Sequence, residues 1–288
     1  MAVLITSADV WLDRRRRVAE LRVRNGFARQ LLDFYGALLA VQEKAFADAA
    51  VAQPQPDMLA AYVAELVVPG VADVSVAAGP DRLRVEVIDR LAVQDPQQIV
   101  AAWMNDEAQP AVDRFLARAS LGPVLEALGA EAGAACAGTR DERHCPDCGG
   151  PPQLSFFARP SDDLAGGARQ LLCARCGRTW GYPRVTCAAC GEDAGAKLPV
   201  FGERGTTSGE RGSVVRGLPA SPPAAKHDAV FPHMRIEACD SCHRYLLNVD
   251  MATDPAAVPL VDELSAIPLD LFARERGYTK ITLNLMGF

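Results

Sequence analysis

Histidine is scarce in this chain, with four residues in 288, and that scarcity narrows its chemistry at once. His144, His227, His233 and His243 are dispersed, and no Ser-His-Asp set or carboxylate pair can be located from spacing, so nothing marks a hydrolytic site. Long uncharged apolar runs are missing too: none reaches eighteen residues, and no membrane span is expected. At the start, residues 1–7 form too short an apolar stretch for an export signal, and the arginine run 14–17 leads into Val-Ala-Glu-Leu-Arg. A basic excess is also absent. The formal net charge is −6, and residues 145–250 carry 12 Lys and Arg against 11 Asp and Glu, which is poor support for a phosphate-binding surface. The glycine-rich stretch 205–209 is not followed by Gly-Lys-Ser/Thr, so it is not a phosphate loop.

Cysteine, by contrast, is concentrated. Eight of the nine cysteines form four Cys-x-x-Cys pairs: Cys145/Cys148, Cys173/Cys176, Cys187/Cys190 and Cys239/Cys242. Two intervening residues let both thiolates converge on one ion, and two such knuckles complete a tetrahedral four-sulfur site. Eight ligands therefore predict two closed metal sites with no open position for water or substrate, which argues against metal-dependent hydrolysis. Gly149, Gly177 and Gly191 follow three of the knuckles, as expected where the chain must turn with positive φ; His243 occupies the fourth such position. Between knuckles the sequence repeats one plan of two apolar runs and a third after the second knuckle. Residues 153–158, 169–172 and 178–185 are the expected strands of the first copy, and 198–201, 233–238 and 244–249 those of the second. Consecutive pairing places Cys145, Cys148, Cys173 and Cys176 on one ion and Cys187, Cys190, Cys239 and Cys242 on the other. An interleaved pairing would have to cross the hairpins.

Residues 8–135 read as helical. Leu31, Leu32, Tyr35, Leu38, Leu39 and Phe46 recur at helical spacing, as do Leu59, Tyr62, Val63 and Leu66 after a cap at Asp57. Asp95-Pro96 reads as a helix start, and another helical stretch carries Val112, Phe115 and Leu116, then Leu125 and Leu128 past a break at Gly122-Pro123. Residues 82–89 alternate like a short strand. The four arginines at 14–17 read as a solvated helix face balanced by Asp13 and Glu20, and Cys136 as a small buried residue. Residues 202–229, rich in Gly, Ser, Pro and Ala, read as a mobile insertion; 259–276 as helix divided at Pro268; and the tail from Tyr278 as an edge strand or a docked segment. The expected fold is α+β: a helical domain (1–143), two tandem rubredoxin-like or zinc-ribbon modules with four cysteines each (144–185 and 186–250), and a C-terminal helix and tail (251–288).

Other chemistries fit less well. Cys239-Asp-Ser-Cys242-His243 matches the haem-attachment pattern, yet its three sister pairs lack the histidine. A thioredoxin-like redox pair needs a βαβ context that the flanking apolar runs do not provide. The motifs Cys145-Pro-Asp-Cys148-Gly149, Cys173-Ala-Arg-Cys176 leading through Trp180 and Arg184 to Cys187-Ala-Ala-Cys190, and Glu237-Ala-Cys239-Asp-Ser-Cys242-His-Arg-Tyr245-Leu246 resemble the formate dehydrogenase accessory proteins of the FdhE type. The resemblance continues through Asp262-Glu263-Leu264, Leu269-Asp270 and Gly277-Tyr278. It implies a cytoplasmic assembly factor rather than a turnover enzyme. Such a factor binds iron in rubredoxin-like sites and associates with the catalytic subunit of a respiratory formate dehydrogenase before export. Structural zinc fits the same four thiolates. An electron carrier and a protein- or nucleic-acid-binding ribbon module are the alternatives, and the helical half could hold a homodimer face.

Overall fold

A computed structural model describes residues 7–158, 167–203 and 229–288; residues 204–228 of the expected insertion lie outside the described residues. Helices fill the first half: α1 (Ser7–Arg24), α2 (Arg29–Ala52), α3 (Leu59–Leu66), α4 (Val68–Ala78), α5 (Asp81–Val93), α6 (Pro96–Met104), α7 (Ala111–Leu128) and the single turn α8 (Ala130–Gly133). Leu32, Leu38 and Leu39 of α2 meet Leu116, Leu121 and Val124 of α7 in the bundle core, each burial contributing roughly 1.5–3 kcal/mol. Asp95 caps α6, its carboxylate accepting from the Gln97 N–H at 2.9 Å, with Pro96 in the first helical position. Asp57 does not cap α3: it sits in a 3₁₀ turn, Pro56–Met58, and α3 begins without a side-chain cap.

The alternating segment 82–89 is helical, within α5. Leu83, Val87 and Leu91 recur every four residues against the core, while Val85 and Ile88 face solvent, so the helical period outweighs the apparent period of two. The Gly122-Pro123 break does not occur either, since α7 runs unbroken through Pro123. Proline cannot donate to the carbonyl four residues earlier, and the buried Gln42 of α2 supplies the missing donor, its Nε2 reaching the Ala119 carbonyl at 3.0 Å. The stretch Pro56–Ala78 is long and apolar enough by length and composition to cross a membrane. It is divided at Val67 into α3 and α4, however, with Leu59, Val63, Val68 and Val71 buried in the bundle.

The second half forms a mixed sheet of seven strands among the described residues: β1 (Pro152–Phe157), β2 (Arg169–Cys173), β3 (Thr179–Gly181), β4 (Val200–Phe201), β5 (Met234–Cys239), β6 (Arg244–Asp250) and β7 (Thr279–Lys280). The order is β3-β2-β1-β6-β5-β4, with β7 beside β6. The two copies of the repeat thus share one sheet. They are joined by the parallel β1–β6 pair, in which Ser155 faces Asn248 and Phe157 faces Asp250. A polar chain crosses that seam: the Asn248 amide donates to Ser155 Oγ at 2.8 Å, Ser155 donates to Glu237 at 2.9 Å, and Arg169 pairs with the same carboxylate at 2.5 Å.

Proline divides the C-terminal helix as expected, into α9 (Pro259–Ser265) and α10 (Ile267–Glu275). Val261 and Leu264 of α9 join the bundle core, and Leu269 and Ala273 of α10 cover one face of β5 and β6. The tail contributes β7, whose Thr279 and Lys280 run parallel to Arg244 and Tyr245.

Candidate metal centres

Each knuckle is built by the same backbone bond. The N–H four residues after the first cysteine returns to that cysteine's carbonyl: Gly149 to Cys145 at 2.9 Å, Gly177 to Cys173 at 3.2 Å, Gly191 to Cys187 at 2.9 Å and His243 to Cys239 at 2.9 Å. All four donors have positive φ, at 68°, 71°, 81° and 54°. His243 therefore adopts the glycine conformation at a β-carbon's steric cost.

The knuckles converge in consecutive pairs. Cys145, Cys148, Cys173 and Cys176 form one cluster and Cys187, Cys190, Cys239 and Cys242 the other, with all sulfurs of a cluster within 4.8 Å of one another. Neighbouring sulfurs in the first lie 3.4–3.6 Å apart. In the second, Cys187 and Cys242 lie 3.8 Å apart and Cys190 and Cys239 3.7 Å. A tetrahedron of metal–sulfur bonds of about 2.3 Å has edges of about 3.8 Å, so each donor set fits one ion. Without a cation the packed thiols are in electrostatic conflict. Burial raises Cys173 and sulfur contacts raise Cys176, while hydrogen bonds from the neighbouring thiols lower Cys145. A divalent ion would relieve that conflict by accepting all four thiolates.

The surroundings differ sharply. Cys145, Cys148, Cys173 and Cys176 are 0, 0, 2 and 7 % exposed and belong to the bundle core itself. Arg175, between the ligands of the second knuckle, is wholly buried and ties this centre to the helices. Its guanidinium donates to the carbonyls of Ala137 at 2.7 Å and Cys148 at 2.9 Å and meets Asp106 at 3.1 Å, stacked over Trp103. Nothing in the spacing points to Arg175 apart from its place inside a Cys-x-x-Cys. The second centre borders solvent: Cys190 is exposed and Cys242 half-buried. Beside it opens a cavity of about 570 Å³ lined by Cys187, Ala188, Leu198, Arg169, Arg244 and Tyr245. Glu192 links its two knuckles by accepting from Ser241 Oγ at 2.6 Å.

The remaining sequence candidates are structural. Cys136 is buried in the core, and burial pushes its thiol up to about 11. His144 pairs with Asp141 at 2.6 Å and is no ligand. Tyr182 and Tyr245 are buried rather than displayed. The arginine run is not the solvated face expected: Arg15 and Arg16 are exposed, but Arg14 pairs with Glu126 at 2.7 Å and Arg17 is buried against Asp262 and Asp254 at 2.5 and 2.6 Å. His233 Nε2 also donates to Asp262 at 2.7 Å. His233, Asp254 and Asp262 could themselves hold an ion, but the Arg17 guanidinium already supplies the positive charge there. Asp262, Glu263 and Asp270, part of the resemblance, lie in buried networks: Lys280 meets Glu263 at 2.8 Å and Asp270 at 3.0 Å, and Tyr245 donates to Asp270 at 2.8 Å.

A helical bundle sealed onto a sheet with two four-cysteine clusters defines a protein with two thiolate sites, each able to hold a metal ion. Residues 223–286 match the family model described as FdhE, C-terminal domain. A protein named Protein FdhE homolog from Aquifex aeolicus is 26% identical over 209 residues, covering 71% of this chain and 62% of that protein. One of the same name from Pseudomonas aeruginosa is 30% identical over 159 residues, covering 55% and 44% respectively. The chain is thus similar to proteins of the FdhE family. It spans about 62% of the Aquifex aeolicus relative and about 37% of the one from Shewanella oneidensis. The crystal structure of the FdhE protein from Pseudomonas aeruginosa superposes with a TM-score of 0.61 at 21% identity, over 98% of this chain and 96% of that one, and shows the same fold.

Proposed function

We propose that this protein is a cytoplasmic accessory factor for a respiratory formate dehydrogenase, binding the catalytic subunit before export. The observation that carries this reading is the coincidence of the family match with two complete four-cysteine clusters in one sheet. Cys145, Cys148, Cys173 and Cys176 would hold one ion, and Cys187, Cys190, Cys239 and Cys242 the other. Four thiolates saturate a tetrahedral ion, so neither site offers a position for substrate, which favours a binding role over turnover. Iron is favoured by the resemblance, and zinc suits the same donors. The segments 1–143, 144–185, 186–250 and 251–288 are the proposed working units. Nucleic acid is not a proposed partner: two of the four clustered arginines are consumed in internal ion pairs.

The test is to purify the tagged protein anaerobically from its own host under formate respiration, then identify co-purifying proteins by mass spectrometry and count metal. Recovery of a formate dehydrogenase catalytic subunit with two ions per chain is expected. Two ions without that subunit would overturn the assembly role and leave the metal sites standing. Electron transfer is the second reading, favoured by the exposure of Cys190. It predicts reversible one-electron colour changes on redox titration, which a zinc-loaded protein would not show.

A further inference from the structure

The two centres have the same donors and opposite surroundings. In the first, every sulfur lies in the bundle core, and the packing leaves an incoming donor no room. A β-carbon at Gly150 would already lie 2.9 Å from the Cys173 sulfur and 3.2 Å from that of Cys148. A cavity beside Cys173 measures about 80 Å³, room for a few waters. Arg175 lines that cavity and is itself buried, its guanidinium held by the Cys148 carbonyl at 2.9 Å. Releasing an ion here requires opening the joint between helices and sheet.

The second centre offers two approaches. Cys190 reaches solvent directly, and the cavity of about 570 Å³ reaches Cys187 from the sheet side. Contacts independent of any ion also hold its knuckles together. Glu192 of one knuckle accepts from Ser241 of the other at 2.6 Å, the Asp240 N–H donates to the Lys197 carbonyl at 2.9 Å, and Tyr278 donates to Asp240 at 2.6 Å. Its sulfurs belong to none of the buried apolar clusters.

We propose that the second centre exchanges its ion with soft donors, thiolates above all, while the protein stays folded, and that the first is locked for the life of the fold. This rests on the reading of both clusters as metal sites. In the exchange, an incoming thiolate forms a bond to the ion as the bond to Cys190 breaks. The released Cys190 thiolate takes up a proton equivalent to the one the incoming thiol gave up, and no electrons change hands. The site would then give or receive an ion in contact with a partner's cysteines.

The experiment uses the full chain with its metal, challenged with excess dithiothreitol as a soft dithiol and, separately, with EDTA. Residual metal is counted after desalting at successive times and circular dichroism is recorded in parallel. One ion should leave with the fold intact, and the other on the order of 100-fold more slowly, together with loss of structure, because its release needs local unfolding. Cys190→Ser, which removes one donor of the second cluster, should leave only the slow ion bound after desalting. Glu192→Gln, which weakens the bridge to Ser241, should quicken the fast phase alone, and it serves if the cysteine variant fails to fold. A single phase for both ions, or a fast ion that leaves only together with the fold, would overturn the proposal. Wild-type protein without two ions would instead overturn the metal reading beneath it.

Discussion

At position 243 a histidine holds a backbone conformation that glycine holds at the other three knuckles. Its φ of 54° costs a β-carbon on the order of 1–2 kcal/mol. His243→Gly is therefore expected to keep the metal content and raise unfolding free energy by about 1 kcal/mol, measured by urea denaturation. Gly149→Ala should do the opposite. Its φ is 68°, and the added β-carbon would lie 2.7 Å from the Gly138 carbonyl carbon, so a loss of at least about 2 kcal/mol is expected. Equal stabilities for the two variants would contradict this account of the turn. At this scale the cysteines are legible in the sequence because a Cys-x-x-Cys is a local pattern that declares its geometry. Arg17 and Arg175 are not: their partners, Asp262 and Asp106, are distant in sequence, and an arginine beside acids elsewhere in its own helix looks solvated.

Among elements, α7 shows how a local rule is overridden by a neighbour. Gly122-Pro123 predicts a break, and the break is absent because Gln42 of another helix satisfies the Ala119 carbonyl. Gln42→Leu should then cost about 1–3 kcal/mol, the penalty of leaving a buried acceptor unpaired. In a Pro123→Ala background the same change should cost clearly less, since the new backbone N–H at position 123 takes over the bond; a double-mutant cycle by urea unfolding reads the difference. Equal costs in both backgrounds would remove Gln42 from this role. The amphipathic spacing of α2 and the Asp95-Pro96 start of α6 are readable because they depend on nearest neighbours. The helix at 81–93 imitates a strand because its exposed face also carries Val85 and Ile88. The parallel β1–β6 seam leaves no trace in the repeat, since neither strand's own pattern encodes which edge it meets.

At the scale of the molecule, helices and sheet are fastened by buried charge as well as by the first cluster. Burial pushes Asp262 up, but hydrogen bonds from His233 and Arg17 outweigh it and hold the carboxyl below the usual range; Asp254 is lowered against burial in the same way by Arg17. A carboxyl lowered in the folded state contributes stability above its ordinary pKa of about 3.9 and loses it as pH falls through the folded value. Unfolding free energy should accordingly fall as pH is taken from about 5 to below 4, and Asp262→Asn should flatten that arm. Glu263, raised by burial, acts in the opposite sense, so the variant comparison isolates Asp262. An acid arm unchanged in Asp262→Asn would remove this clasp from the stability account. Arg17 and Asp262 are 245 residues apart. At typical synthesis rates of about 5–20 residues per second, that separation amounts to roughly 10–50 s. For that interval every emerging chain displays Arg17 without its last acid partner, a basic face that the finished protein folds away.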